Sequence, residues 1–508
     1  MGKRYDLLVV GGGINGAGIA RDAAGRGLRV LLVEKDDLAS HTSSWSSKLI
    51  HGGLRYLEYY EFRLVREALI EREVLLKAAP HIIKPLDFVL PHSPEQRPAW
   101  LVRLGLFLYD HLGGRKILPG SKGVDLAAPG PLGDPLKDWV KRGFTYADAF
   151  VMDSRLVALN ALDAKERGAE ILTRTACTRA RRTADGKAWA AEIEGPDGRR
   201  AVEARALVNA AGPWVERFLK GGLGVETAKS VRLVKGSHMV VPKLYAGDHP
   251  YILQNDDKRI VFVIPYEEGF SLIGTTDVEY RGEPGDVRIS DEEARYLCRV
   301  VNRYFRREVR PEDAVWTYSG VRPLYDDASG NASAVTRDYV FDLDAGEGGA
   351  PLLSIFGGKI TTYRKLAEHA LEKLAPLLGA SRDGWTANVP LPGGDIRGAD
   401  FAGFLAELRQ DHPFLPDAMA LRVARAYGTR ARIWLGGAES LADLGPCLGG
   451  DLHVAELAYL RDAEWARTGD DALWRRSKLG LHLDAAARAR VGAWMAANAG
   501  QMPAGAEA

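Results

Sequence analysis

The chain of 508 residues is too long for one ordinary hydrophobic core, so two or three domains are expected. Apolar residues make up 46% and charged residues 27%, the mix of a folded globular protein, while 68 Lys and Arg against 67 Asp and Glu leave no bulk field to attract nucleic acid. Three widely separated cysteines, Cys177, Cys298 and Cys447, have no CxxC spacing; they suggest neither a disulfide framework nor a zinc site and fit a reducing, cytoplasmic compartment.

The first apolar run, YDLLVV at 5–10, is too short and too glycine-bounded for a signal peptide or a spanning helix, and reads as a strand. It enters GGGINGAGIA, a helical stretch to Arg26 and a second apolar run from Leu28 to Glu34: the opening of a doubly wound parallel sheet. Gly11, Gly13 and Gly16 form GxGxxG, with Ile14 and Asn15 inside it. The glycines allow the tight turn, the approach of backbone to a pyrophosphate and close helix packing, and the helix N-terminus attracts phosphate. Glu34, at the end of the second strand and just before Lys35, suits the ribose hydroxyls of an adenosine.

SSKLIHGGLRYLE at 46–58 is polar and glycine-hinged, with no clear strand or helix pattern. From Tyr59 the spacing of Phe62, Val65, Leu69 and Leu76 predicts an amphipathic helix closed by Pro80. PAWLVRLGLFLYDHLGGRKIL at 98–118 is apolar but too short and too charged to span a bilayer; Trp100, Tyr109, Arg103, Arg115 and Lys116 suit either an interfacial helix or a core helix. Residues 113–142 read as a long loop.

Further on, RLVALNALDAKERG reads as a helix stopped at Gly168 and followed by a strand. ALVNAAGPWVERF, from Ala206, reads as strand, small-residue turn and helix. Residues 231–280 are strand-like, and LLSIFGGKITTYRKLAEHALEKL near 352 repeats strand, double glycine and helix. Several such turns make sense if one extended dinucleotide, FAD, is gripped at several places. VPLPGGDIRG at 389–398 reads as a linker, and the Ala-, Leu- and Arg-rich remainder as a helical domain.

GGGINGAGIARDAAGRGL, TSSWSSKLIHGGLRYLE, RGFTYAD, LVNAAGPWV, LVKGSHMVVP, IVFVIPY, IGTTDVEY, WTYSGVRPL and LLSIFGGKITTYRKLAEHALEKL resemble, in order, the bacterial FAD-dependent (aerobic, respiratory) glycerol-3-phosphate dehydrogenases, which belong to the D-amino-acid-oxidase-like flavoproteins. The resemblance runs from about residue 5 to 380, and DDALWRRSKLGL at 470–481 is similar to that family's helical C-terminal domain. It implies an α/β chain with a discontinuous Rossmann-like FAD-binding domain (1–80, 145–230 and 320–388), an antiparallel-sheet substrate domain (81–144 and 231–319) and a helical domain (396–508). It also implies oxidation of sn-glycerol 3-phosphate to dihydroxyacetone phosphate, with electrons passed to a quinone and peripheral contact at the cytoplasmic face of the inner membrane. A homodimer is left open. An oxidase using dioxygen and a non-catalytic flavin scaffold are the competing readings.

Secondary-alcohol oxidation on a flavin needs a proton acceptor and, for this substrate, a cationic phosphate clamp. Arg322 in SGVRPL and Arg55 in HGGLRY are the clamp candidates, because the planar guanidinium binds phosphate in a fork. Tyr56, Thr275 and Asp277 are expected beside them. His238 in KGSHMVVP leads as base and Lys359 competes. For the cofactor, Thr42, Ser43, Ser44, Ser47, Lys48, Leu49 and His51 are expected along it, with Gly52 and Gly53 letting the backbone pass close to its ring. Ala211, Gly212 and Trp214 are expected at another turn, and Gly320, Gly358, Lys359, Ile360 and Thr361 at the last, where a helix N-terminus would face the ring's pyrimidine oxygen.

Overall fold

The computed structural model describes residues 3–500 apart from 94, 228, 258, 327–337 and 347. Its first strand, Arg4–Val10 (β1), is buried from Tyr5 onward and leads into helix Ile14–Gly25 (α1) and strand Val30–Val33 (β2). β1 pairs in parallel with β2 on one side and with Gly198–Asn209 on the other; Glu170–Leu172 and Leu352–Phe356 extend the parallel array, and Val340–Asp344 adds an antiparallel edge.

Alternation along β1 divides two cores, because successive side chains leave opposite faces. Leu7 and Val9 join a cluster with Ile19 and Ala20 of α1, Leu159 and Leu162 of helix Asp153–Glu166, and Leu366 and Leu371 of helix Tyr363–Leu378. Leu8 and Val10 join Trp189, Val202 and Leu219 on the other face, beneath the meander of Ala176–Arg182, Trp189–Gly195 and Gly198–Asn209. Each such fully buried aliphatic side chain stabilises the fold by about 1.5–3 kcal/mol.

The second sheet has ten strands. Its long strand Val231–Pro242 pairs antiparallel with Trp316–Tyr325, and across its other edge with Phe270–Gly274 and Val278–Glu279. Helix Asp291–Tyr304, started by a capping box between Ser290 and Glu293, covers one face. Helices Phe62–Ala78 and Ala99–Leu112 cover part of the other through Val65, Leu69, Leu106 and Tyr109.

Arg142–Val151 pairs along its length with Ile83–His92 in this second sheet, and Leu49–Ile50 and Trp316–Tyr325 belong to it too. The expected FAD-binding segments beginning at 145 and 320 therefore start inside strands of the other sheet. Apolar runs announce a strand but not its partners. The polar stretch 46–58 holds a two-residue strand, Leu49–Ile50, and a 3₁₀ turn, Leu54–Tyr59; the expected loop 113–142 contains strand Lys122–Asp125.

Helices Phe401–Asp411, Asp417–Tyr427, Ala431–Leu435, Val454–Glu464 and Ala485–Asn498 form the expected helical C-terminal domain around Val423, Leu457, Leu460 and Val491, with a small hairpin at Cys447–His453 that the sequence did not announce. Buried arginines bind it to the first sheet: Arg476 donates to both oxygens of Asp37 at 2.8 Å, and Arg155 to Glu464 at 2.9 Å. No helix among the described residues is long and apolar enough to cross a membrane.

Candidate active site

A cavity of about 570 Å³ opens at the C-terminal ends of β1, β2 and Gly198–Asn209, where open parallel sheets bind ligands. Gly11 turns the chain with φ of 113°, and a Cβ on Gly16 would sit 1.9 Å from the Gly11 carbonyl oxygen. Gly13 lies at the N-terminus of α1, and Ser43 Oγ accepts the Ile14 N–H at 3.0 Å. Glu34 is 7% exposed; its Oε2 accepts the Gly12 N–H at 2.7 Å and its Oε1 the Asp36 N–H at 2.8 Å. Burial raises its carboxyl above the usual range and these backbone donors oppose the rise. Each oxygen keeps lone-pair capacity for a hydroxyl.

The remaining walls hold the other glycine turns. Asn15 Nδ2 donates to the Gly357 carbonyl at 3.2 Å, and Gly358, at φ of 109°, lies against the same amide. Ala211, Gly212 and Trp214 line the far side, where the Trp214 indole donates to Glu283 at 2.7 Å and the Lys35 ammonium lies 4.7 Å from its ring centre. Thr42 Oγ1 donates to the Val321 carbonyl at 2.7 Å, and the buried Ser44 hydroxyl to the His41 carbonyl at 3.4 Å. These bonds fix the cradle's backbone.

The segment 46–58 divides its work differently from the sequence expectation. Lys48, only 1% exposed, gives its ammonium to both oxygens of Asp153 and to the Ser44 carbonyl, all at 3.0 Å, so it pins the loop. Leu49 packs into the second sheet's core. A Cβ on Gly52 would lie 2.5 Å from Leu69 and 2.7 Å from the Tyr109 hydroxyl, which accepts the Gly52 N–H at 2.7 Å. Gly53 has φ of 75° and faces the Tyr56 ring. Both glycines thus answer to protein neighbours. The His51 N–H donates to Thr361 Oγ1 at 3.3 Å, joining this loop to the Ile360–Thr362 turn. The Lys359 ammonium lies 3.9 Å from the centre of the Tyr56 ring, while Arg55 contacts the Tyr59 hydroxyl at 3.4 Å on the exposed rim.

The strand pair Val231–Pro242 and Trp316–Tyr325 supplies the polar wall. Arg322 Nη1 meets Asp277 at 2.9 Å and Nη2 donates to the Thr276 carbonyl at 2.7 Å, so its fork is held in place. A Cβ on Gly236 would lie 2.2 Å from Arg322 Nη2 and 2.7 Å from Thr275 Oγ1. Gly320, paired with Gly236, gives the same room to Trp45.

His238 stacks on Tyr318, 4.6 Å between ring centres, and is 3% exposed; Nε2 meets Ser47 Oγ at 2.9 Å and buried Nδ1 has no hydrogen-bond partner among the described residues. Burial, then the charges of Lys48 and Arg322, hold its pKa well below the ordinary value, so the imidazole is neutral at pH 7.

Residues 6–364 match the family model described as FAD dependent oxidoreductase. The chain belongs to this family. It is 56% identical to the D-erythritol 1-phosphate dehydrogenase of Brucella abortus, covering 96% of this chain and 97% of the relative, and 54% identical to the aerobic glycerol-3-phosphate dehydrogenase of Escherichia coli with the same shares covered. Among solved structures, the glycerol-3-phosphate dehydrogenase of Bacillus halodurans complexed with FAD superposes with a TM-score of 0.77 at 28% identity, over 98% of this chain and 91% of that one.

As an FAD-dependent oxidoreductase the chain carries a cradle that fits its cofactor: a glycine turn, a helix N-terminus and a buried carboxylate with acceptor capacity beside one cavity. Thr175, Cys177 and Phe218 also line that cavity and were not found from the sequence; only the fold brings their strand and helix there. Gly236, Thr276 and Tyr318, which seat Arg322 and His238, were missed too. No local pattern announced them, because the antiparallel pairing of 231–242 with 316–325 that brings them together is a long-range property.

Proposed function

We propose that this chain oxidises a polyol phosphate at the secondary alcohol next to its phosphate-bearing carbon, with sn-glycerol 3-phosphate as substrate and dihydroxyacetone phosphate as product. The observation that carries the reading is a fixed guanidinium, Arg322, and a buried neutral imidazole, His238, on paired strands of an FAD-dependent oxidoreductase, near enough for the charge of Arg322 to lower the pKa of His238. Bound FAD supplies the hydride acceptor. Arg322 holds the substrate phosphate, assisted by Arg55, Tyr56 and Thr275. His238 takes the hydroxyl proton, and Ser47 fixes the orientation of its ring. Lys359, at the start of the last glycine turn, orients the reacting oxygen.

The 56% identical relative named for D-erythritol 1-phosphate supports a second substrate, one carbon unit longer. Adding each phosphate ester anaerobically to the yellow holoenzyme tests both. Glycerol 3-phosphate is expected to bleach the flavin band with the higher kcat/KM; preference for the four-carbon ester replaces the first reading by the second, and no bleaching with either sinks both.

For the electrons leaving the site we propose a membrane quinone. Trp100, Leu104 and Phe107 are exposed on one side of helix Ala99–Leu112, with Tyr60 and Ile117 also exposed and Arg97 and Arg115 among the basic residues flanking it; this supports peripheral seating at the cytoplasmic face of the inner membrane. Stoichiometric peroxide in place of quinone reduction would make the enzyme an oxidase.

A further inference from the structure

A second cavity, about 660 Å³, lies away from the cofactor cradle, between strand Ile83–His92 with the turn after Tyr266, helix Asp417–Tyr427 and the segment around 477–483. Half of the charged side chains on its wall are matched among the described residues. Arg422 is bound to Glu456 at 2.7 and 2.9 Å and to Asp451 at 2.9 Å, and Lys243 meets Asp248 at 3.8 Å.

Glu267 and Glu268 are in no ion pair among the described residues, and neither are three groups close to one another. Arg425 rests on the Phe401 ring at 3.5 Å and donates to the carbonyls of Pro80 and His81 at 3.2 and 3.4 Å, but among the described residues it has no carboxylate partner. Burial alone pulls it down to about 10. Lys84 likewise has no carboxylate within ion-pair distance, and its pKa is lowered by burial and then by Arg425; Asp248, Glu267 and Glu268 oppose this from further off. His81 is completely buried, neither ring nitrogen has a hydrogen-bond partner among the described residues, and burial and then the charges of Arg155 and Arg425 push it down to about 3. Half-buried like charges without an ion-pair partner, such as Arg425 and Lys84, are costly to keep close together, and unpaired ring nitrogens add to that cost. All three side chains line the same void.

We propose that this cavity binds a small oxyanion, a phosphate ester or comparable dianion, with Arg425 and Lys84 supplying charge. Such an anion would neutralise the mutual repulsion of the two cations. Glu267, Glu268 and Asp248, which line the same cavity, favour a ligand whose remainder carries hydroxyl or ammonium donors. The site is assembled from the second sheet and the C-terminal domain together, so its ligand bridges them.

The probe is radiolabelled inorganic phosphate in equilibrium dialysis against FAD-loaded full-length protein. Because Arg322 is expected to bind phosphate as well, the Arg322→Ala holoenzyme isolates the second cavity. It is expected to retain about one phosphate per FAD, and adding Arg425→Gln and Lys84→Met is expected to weaken that binding roughly tenfold or more at unchanged FAD content. Arg425→Lys, which keeps the charge, is the control for folding and should retain binding. No phosphate bound to Arg322→Ala at millimolar concentration, or equal binding by the triple variant, overturns the proposal. If instead wild type and Arg322→Ala bind the same number of phosphates, the active-site clamp fails and the second cavity stands.

Discussion

At the scale of single residues, the decisive facts concern where a charge is spent. Arg322 is held by Asp277 and the Thr276 carbonyl and is about a quarter exposed on its side chain, so it presents a preset fork to an incoming anion. Arg322→Ala is expected to raise KM for the phosphate ester by a loss on the order of 2–4 kcal/mol, with kcat changed less; an unchanged KM removes it from the clamp. His238→Ala is expected to lower kcat by roughly 10² at unchanged FAD content, and near-normal turnover leaves the proton to Lys359 or water. Arg322 was singled out in the sequence by its glycine- and proline-bearing motif and His238 through the family resemblance, and the structure sets them on paired strands. Lys48 was expected along the cofactor; in the structure its ammonium holds Asp153, a partner more than a hundred positions away that no local pattern announces. Gly52 was expected to let the backbone pass close to the flavin ring, and a Cβ there would also meet Leu69 and Tyr109.

At the scale of elements, periodicity delivered β1, α1, helix Phe62–Ala78 and the last strand-turn-helix because each buries a face whose spacing is local. It could not assign Arg142–Val151 to the second sheet, since pairing is a long-range property. The register of 231–242 against 316–325 has a direct functional consequence: it sets Gly236 under the Arg322 side chain. Gly236→Ala is therefore expected to displace the guanidinium and raise KM severalfold while leaving His238 and kcat largely intact. Equal loss of kcat and kcat/KM would mean that the whole wall has moved. Helix Ala99–Leu112 carries a separate expectation. Replacing Trp100 and Phe107 by Asp removes exposed apolar surface that the core does not use, so sedimentation with lipid vesicles should fall while turnover with a soluble dye stays within twofold of wild type. Unchanged vesicle binding would exclude this helix as the contact.

At the scale of the whole molecule, buried charge joins the C-terminal domain to the rest, and the protonation of buried histidines contributes to how that assembly responds to acid. His81 and His238 are both held neutral, by burial and by neighbouring cations, with folded pKa values below the ordinary value near 6.5. Above that pH neither form of the chain binds the extra proton, so neither residue makes stability depend on pH. Below it the unfolded chain takes a proton at each site that the folded chain refuses, and stability falls as pH drops, by up to about 1.4 kcal/mol per pH unit per group. For His81 the fall continues towards the folded value of about 3. Carboxylates such as Asp471, lowered to about 2 beside Arg475 and Arg174, add their own loss only below the ordinary carboxylate range, while Glu267, pushed up to about 7 by burial, is protonated first in the folded chain and opposes the histidines between about pH 7 and 4.5. His81→Asn keeps a polar side chain at the junction of sheet and C-terminal domain but removes this titration. Its unfolding midpoint, followed by FAD release and far-ultraviolet circular dichroism, should therefore decline less steeply than wild type across that interval, whatever its midpoint at pH 7. An identical slope would mean that His81 is protonated in the folded protein and that the charge of Arg425 is compensated there by other means.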